Sequence, residues 1–342
     1  MKRKRGVAVG LGYFSQFHLE AWMRIKEVDL VAICDTDIAK AEGTASQYGI
    51  PRFYSDINEM LANENPDFID IITPPETHLE LCILAAEMGI DIICQKPLAP
   101  DLKEAQKIAE TISKNKVRMM IHENFRFQPW HREIKKLLDQ QTIGNQLHSI
   151  HWRMRMGDGW QKDAYMNRQP YFREMKQLLI YETGIHLIDV LRYFGGEINQ
   201  VFAKLQRFNP NIKGEDSALV LCDFSQGGTA IIDANRFHES TCENPRLTFG
   251  EVHIEVNKGH LHLHQDGRIT VKRLGKPETV HDYHFEDKNF SGDCVYYTQL
   301  HFITQLISKK SFETDVQEYL ANIRVLESVY ASNSKGHPLI VQ

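Results

Sequence analysis

Between residues 6 and 122 short runs of apolar, β-branched residues alternate with stretches whose apolar positions recur every three or four residues. That is the pattern of βαβ units around a parallel sheet. The strands expected are GVAVG (6–10), LVAICD (30–35), FIDIIT (68–73), DIICQK (91–96) and VRMMIH (117–122), each nearly continuous in apolar residues. Strands covered by helices on both faces read this way, so the pattern predicts a doubly wound sheet. Of the helices between them, HLELCILAAEMG (78–89) places Leu79, Cys82, Ile83 and Ala86 on one face and stops at Gly89.

After about residue 145 the texture changes to strands with polar alternation. ALVLCDF (218–224) and TAIIDANRF (229–237) read as a hairpin, and 253–274 reads as an antiparallel meander turning at Lys258-Gly259 and Asp266-Gly267. Helices are expected around 176–194, 295–309 and 314–333. The fold class is therefore α/β. A doubly wound parallel sheet over 1–122 is followed, over 123–342, by an α+β domain with a large, mostly antiparallel open sheet.

Composition narrows the class without changing this picture. The 342 residues are 42% hydrophobic and 25% charged, enough for about two domains that bury their own cores. Forty Lys and Arg against 45 Asp and Glu leave a net charge of -5, which argues against nucleic acid as a partner. Six scattered cysteines, with no CxxC, read as free thiols in a reducing compartment. The opening MKRKRG reads as a solvated tail rather than a secretory leader, and no apolar run is long enough to cross a membrane. A cytoplasmic location is the expectation.

The first chemical motif is GLGYFS (10–15), a GxGxxG pattern with Ser15 in the third glycine position, set between a strand and a helix. Gly10 permits the tight turn, Gly12 lets backbone approach a pyrophosphate, and Tyr13 and Phe14 lead into the helix whose N-terminus faces the anion. An ordinary turn is the competing reading of six residues. Context favours the nucleotide: Asp35 ends the next strand 20 residues after Ser15, where an acid accepts hydrogen bonds from both ribose hydroxyls and repels a 2′-phosphate. The expected cofactor is NAD rather than NADP.

The segment TPPETHLELCILAAEMGIDIICQKPLAP (73–100) adds a strand-end TP loop, a histidine opening the next helix and a strand closing in a Lys-Pro pair. In these features the chain resembles the Gfo/Idh/MocA oxidoreductases over nearly its whole length. With ICQKP (93–97), HENFRFQP (122–129), ETGIHLID (182–189) and NPNIKGED (209–216) it resembles in particular the subgroup that includes D-apiose dehydrogenases. The resemblance implies a Rossmann domain, then an open-sheet domain that binds substrate and mediates association into dimers or tetramers. It also implies that Thr73, Pro74, Pro75, His78 and Gln95 lie on the cofactor side and that Lys96 points at the substrate. The family's usual tripeptide is Glu-Lys-Pro. Here Gln95 removes one carboxylate beside Lys96, whose ammonium is then less firmly held.

Oxidising an alcohol with NAD needs a base for the hydroxyl proton, and histidine suits that role. In YETGIHLIDVLRYFGG (181–196) Glu182 and His186 stand four apart and so share a helical face, with Ile185, Leu187, Ile188 and Leu191 on the packing side. A histidine among leucines also occurs as a satisfied core residue. Carried over by resemblance, His186 is the general base, Glu182 its orienting or substrate-binding carboxylate, where the family has aspartate, and Lys96 the cation that stabilises the alkoxide. Asp189 reads as a structural partner.

Asn124 and Arg126, at the end of the last parallel strand, are candidate substrate contacts, though Arg126 could equally tie the two domains together. Arg155 and Trp160 sit in an aperiodic segment, 153–172, of the kind that covers a binding cleft or makes a subunit contact. His253, His260, His262 and His264 invite a metal reading, but a half-buried strand explains their spacing and no metal is expected. The leading reading is an NAD-dependent dehydrogenase of a sugar or polyol, a pentose such as D-apiose first. The alternatives are a binding protein that senses NAD and a sugar without turnover, and a glycoside hydrolase working through a resident NAD.

Overall fold

A computed structural model describes residues 3–342. By contacts the chain forms two compact units. The first comprises the described residues up to Asn124 together with Val295–Ala321; the second comprises Phe125–Cys294 and Asn322–Gln342. The linear division at residue 122 contains no such return of the chain.

The first unit holds a six-stranded parallel sheet of β1 (Lys4–Val9), β2 (Val28–Cys34), β3 (Arg52–Tyr54), β4 (Phe68–Ile71), β5 (Asp91–Cys94) and β6 (Met119–Ile121). Their order is β3-β2-β1-β4-β5-β6, so the winding reverses between β1 and β4. Val7, Ala8, Ile33, Ile69, Ile71, Ile92 and Ile93 are fully buried in it, as the apolar runs require. Helices α1 (Ser15–Arg24), α2 (Ile38–Tyr48), α3 (Ile57–Glu64), α4 (His78–Glu87) and α5 (Leu102–Asn115) connect the strands. Asp37, Asp56 and Asp101 cap α2, α3 and α5 with their side chains.

Two details differ from the sequence reading. Lys4 and Arg5 belong to β1 because Asp67 and Glu64 pair with them, and Arg3 pairs with Asp29; Met1 and Lys2 lie outside the described residues. The buried face of α4 is His78, Cys82, Ala85 and Ala86, with Leu79 and Ile83 only half-buried, because His78 turns inward to two backbone carbonyls.

The second unit holds helices α6 (Pro129–Asp139) and α7 (Ile185–Gly195) and a nine-stranded sheet. Its strands are β7 (Leu147–Arg155), β8 (Ile198–Gln206), β9 (Ser217–Phe224), β10 (Thr229–Asn235), β11 (Glu251–Val256), β12 (Gly259–Leu263), β13 (Ile269–Arg273), β14 (Thr279–Val280) and β15 (Leu339–Ile340). The order is β14-β13-β12-β11-β7-β10-β9-β8-β15, antiparallel except for β7 beside β10. The expected hairpin is β9-β10 and the meander is β11-β12-β13. One face packs on the helices, for example through Trp152 against His131 of α6 at 5.3 Å between ring centroids. The other face carries the polar members of each strand and two exposed leucines, Leu219 and Leu221.

Helix α8 (Cys294–Ser308) returns to the first unit, where Phe302 meets Phe68 and Trp22 with ring centroids 5.3 and 6.3 Å away. Arg118 donates to the carbonyls of Gln305 and Leu306, and Thr314 bonds Ile121 through backbone and hydroxyl. Helix α9 (Val316–Lys335) belongs to the first unit up to Ala321 and to the second from Asn322.

Candidate active site

In the first unit the turn at Gly10 lies where the winding of the sheet reverses, the position at which open α/β sheets take ligands. Gly10 has φ +90°, and a Cβ there would meet Thr73 Cγ2 at 2.7 Å, so only glycine passes between the β1 and β4 ends. At Gly12 a Cβ would meet nothing within 4 Å, which leaves open space beside the backbone. Helix α1 follows with no side chain capping its N-terminus, so its dipole end is available to an anion. Tyr13 is exposed, whereas Phe14 packs on Phe17 and His18.

Asp35 follows β2 and accepts from the backbone N–H of Leu11 at 2.8 Å and of Asp37 at 3.1 Å. Lys40, which the sequence reading did not single out, places its ammonium 3.0 Å from Asp35 Oδ2. Burial alone would raise this carboxyl, but those backbone donors and the Lys40 charge hold it below the ordinary aspartate value. It remains a carboxylate at neutral pH.

The second group follows β4 and β5. Thr77 donates its hydroxyl to Thr73 Oγ1 at 2.7 Å and lies 2.8 Å from the carbonyl of Pro74, while Pro75 opens a short 3₁₀ turn. His78 is fully buried, its ring nitrogens 2.8 Å from the Thr73 carbonyl and 3.0 Å from the Leu98 carbonyl. It fastens the loop after β4 to the loop after β5. Burial pushes its pKa down, against the pull of those carbonyls. Lys96 is half-buried, its bond to Pro97 is cis, and its backbone N–H donates to Gln95 Oε1 at 3.1 Å. Asn124 is buried at the end of this unit, and its Nδ2 has no hydrogen-bond partner among the described residues.

The second unit brings Glu182 and His186 onto one stretch of chain, but not onto a single α-helix. A π-helical turn, Leu179–Gly184, carries Glu182 and runs into α7, whose first turn carries His186. The expectation of one regular face over 176–194 is corrected accordingly. Such wide turns inside helices are frequent at functional sites. Packing explains the local sequence: a Cβ on Gly184 would meet Ile180 Cδ1 at 2.8 Å. His186 is buried and its ring lies on Phe125 at 4.1 Å between centroids.

Glu182 accepts from the Thr183 hydroxyl at 2.6 Å and lies 3.4 Å from Nη1 of Arg236. Arg236, like Lys40, is a residue that sequence reasoning missed. It is buried, binds both oxygens of Asp158 at 3.1 and 2.6 Å and the Thr183 hydroxyl at 3.0 Å, and lies over the rings of Tyr165 and Phe172. Burial would raise the Asp158 carboxyl, but Arg236 and Arg168 hold it below the usual range. Arg236 directly follows β10, and no motif or period distinguishes it in the sequence.

The other candidate contacts have partners or surroundings of their own, and Trp160 follows Gly159, whose backbone N–H donates to the Arg236 carbonyl at 2.8 Å. Arg126 makes a bidentate bond to buried Asp189 at 2.9 and 2.6 Å, and Asn322 donates to the same carboxylate at 2.7 Å. Arg155 points to the open face of the sheet, where Asp233 binds it at 2.8 and 2.7 Å. Trp160 is exposed in the loop after β7. On the open face His253, His262 and His264 stack with centroids 3.8 Å apart in each successive pair, and His262 Nε2 lies 3.7 Å from Glu251.

The donor set of the first unit fits a dinucleotide: an open glycine cradle at Gly12, an uncapped helix N-terminus and an acid at the second strand end. Comparison with known proteins agrees. Residues 4–123 match the family model described as "Oxidoreductase family, NAD-binding Rossmann fold", and residues 131–259 match the "GFO/IDH/MocA C-terminal domain". The chain is 30% identical to a D-apiose dehydrogenase of Paraburkholderia graminis over 353 residues, covering 98% of this chain and 89% of the relative. It is also 30% identical to a D-apiose dehydrogenase of Rhizobium rhizogenes over 346 residues, covering 98% and 97%. Among solved structures, an oxidoreductase from Agrobacterium radiobacter in complex with NAD+, L-tartaric acid and magnesium superposes with a TM-score of 0.92 at 28% identity, covering 99% of both chains. The chain belongs to the Gfo/Idh/MocA oxidoreductases, and is an NAD-binding dehydrogenase of that family.

Proposed function

We propose that this protein oxidises a hydroxyl of a sugar or polyol with NAD, with D-apiose the first substrate to test. The observation that carries the reading is the dinucleotide cradle of the first unit, in a chain whose second unit carries a carboxylate, an arginine and a histidine at and beside a π turn. Two relatives named D-apiose dehydrogenase, each matched over 98% of this chain, direct the choice of substrate.

In this reading Gly10, Gly12 and the N-terminus of α1 receive the pyrophosphate, with Tyr13 and Phe14 flanking it. Asp35 receives the ribose hydroxyls. Thr73, Pro74, Pro75 and Gln95 line the nicotinamide side, with His78 behind them. A bound nicotinamide would supply the acceptor for the hydride lost from the alcohol carbon. His186 takes the hydroxyl proton, and Lys96 donates a hydrogen bond to the same oxygen as its negative charge develops. The alcohol loses two electrons and two hydrogens to become a carbonyl; one hydrogen leaves as the hydride and the other as the proton on His186. Glu182, fixed by Thr183 and Arg236, orients the imidazole or a sugar hydroxyl, and the buried Asn124 amide is a further polar contact. A carboxylate at position 35 selects NAD over NADP by repelling a 2′-phosphate.

The open face of the nine-stranded sheet supports self-association into a homodimer or homotetramer. Across it one row runs Lys204, Leu219, Asp233, Arg153 and Glu251, so charges of both signs flank exposed leucine, a surface complementary to a second copy of itself. Six free cysteines favour a reducing, cytoplasmic setting. No helix among the described residues is long and apolar enough to cross a membrane.

One assay separates the readings. The protein is incubated with NAD and pentoses, hexoses, inositols and glycosides while NADH and free sugar are followed together. Net NADH supports the dehydrogenase, and free sugar without NADH would replace it with a hydrolase. Melting shifts with neither product would replace it with a sensor.

A further inference from the structure

Strand β4 carries an acid where the sheet is covered on both faces: Asp70 is fully buried. Its Oδ2 lies 2.8 Å from Nδ1 of His18 and accepts from Trp22 Nε1 at 2.7 Å and from Gln299 Nε2 at 3.5 Å. The other nitrogen of His18, Nε2, lies 2.7 Å from Nε2 of Gln95. The same amide nitrogen is 3.3 Å from Nδ1 of His122, whose ring sits 4.1 Å from that of His18. Asp70, His18, Gln95 and His122 are all buried in the first unit, and Gln95 directly precedes Lys96.

One bond sets the polarity of this network. The Lys96 backbone N–H donates to Gln95 Oε1, which fixes the amide oxygen on that side and turns the NH₂ toward the two rings. Both facing ring nitrogens must then be acceptors. His18 therefore carries its single proton on Nδ1, aimed at Asp70, and His122 carries its proton on Nε2. A carboxylate at position 95 has no proton to give and would demand donors from both rings.

We propose that Asp70, His18 and His122 form a positioning relay that holds Gln95 as a double donor and, through its oxygen, fixes the Lys96 peptide, so that position 95 of this chain is built for an amide. The relay rests on the reading of Lys96 as the cation at the reacting oxygen. Gln95 then replaces the family's glutamate without loss, because its histidine partners are set in the complementary tautomers. His18, His122 and Asp70 are positioning residues, acting on the reaction only through Gln95 and Lys96.

The test is histidine ¹⁵N NMR on the full-length protein at neutral pH, with kinetics of three variants. In the wild-type protein His18 is expected as the neutral Nδ1–H tautomer and His122 as the neutral Nε2–H tautomer. In Gln95→Glu a proton appears on a ring nitrogen facing residue 95, and kcat falls by roughly tenfold, the worth of one buried hydrogen bond. His18→Gln, whose amide oxygen can accept where Nε2 does, keeps more turnover than His18→Ala. A wild-type spectrum with the His18 proton on Nε2 overturns the relay without any variant having to fold, as does a Gln95→Glu protein with wild-type tautomers and turnover. The tautomers are read without substrate, so a chain that shows them but oxidises no sugar keeps the relay and loses the reading of the site.

Discussion

The imidazole of His186 lies flat on the ring of Phe125, with centroids 4.1 Å apart and planes 5° from parallel. A stack of this kind fixes the plane of the imidazole, and so the direction of its ring nitrogens. Such pairs contribute about 0.5–1.5 kcal/mol beyond burial. Phe125→Leu is expected to lower kcat by roughly three- to tenfold, with KM for NAD close to wild type. Steady-state kinetics check this, and unchanged turnover would show that the stack positions nothing.

The Asp35 carboxylate is held ionised by two backbone N–H groups and Lys40. Titration calorimetry is expected to give a Kd for NAD at least roughly tenfold below that for NADP, equivalent to about 1.4 kcal/mol. In Asp35→Ser the gap closes, because Lys40 loses its partner and can meet a 2′-phosphate. Tighter NADP binding by the wild-type protein would reverse the assignment.

Arg126 makes a bidentate pair with the buried Asp189 of α7. Arg126→Met leaves an uncompensated buried carboxylate, and urea unfolding is expected to show a loss of about 3–5 kcal/mol. A loss under ~1 kcal/mol would mean that Asn322 alone satisfies Asp189.

His131 donates Nδ1–H to the Phe125 carbonyl at 2.8 Å, and burial lowers its pKa to about 4. The unfolded chain, with an ordinary histidine value near ~6.5, takes up a proton first as pH falls. The native state therefore loses stability between about pH 6.5 and 4, by roughly 3 kcal/mol in all, and gains nothing from this group above that window. Melting temperature against pH checks this, with His131→Gln expected to flatten the slope. A slope in wild type no steeper than in the variant would contradict it.

Five strands of the parallel sheet were legible because residues such as Ile69, Ile71, Ile92 and Ile93 form apolar runs that only a doubly covered sheet tolerates, whereas the short, largely exposed edge strand β3 carries no such run and went unread. The glycine turn was legible because Gly10 and Gly12 answer steric demands visible in a short motif. Strands β7 and β8 went unread: their outward positions hold large polar side chains such as His151, Arg153 and Lys204, which blur the alternation. The π turn before α7 has the same apolar spacing as a helix, so nothing in the sequence marks the extra width. Arg236 and the return of α8 depend on contacts between distant segments, such as Arg236 with Asp158 and Phe302 with Phe68, which one chain read locally does not contain.

The most direct test of the account is single-turnover NADH formation, with NAD and the best substrate of the sugar panel, in the wild-type protein, His186→Ala and Lys96→Ala. Wild type is expected to form one NADH per site, with each variant slower by roughly 10² to 10⁴, the usual worth of a positioned proton-transfer or oxyanion group. Variants that form NADH at the wild-type rate, or a wild-type protein that forms none with any sugar or polyol, would contradict it.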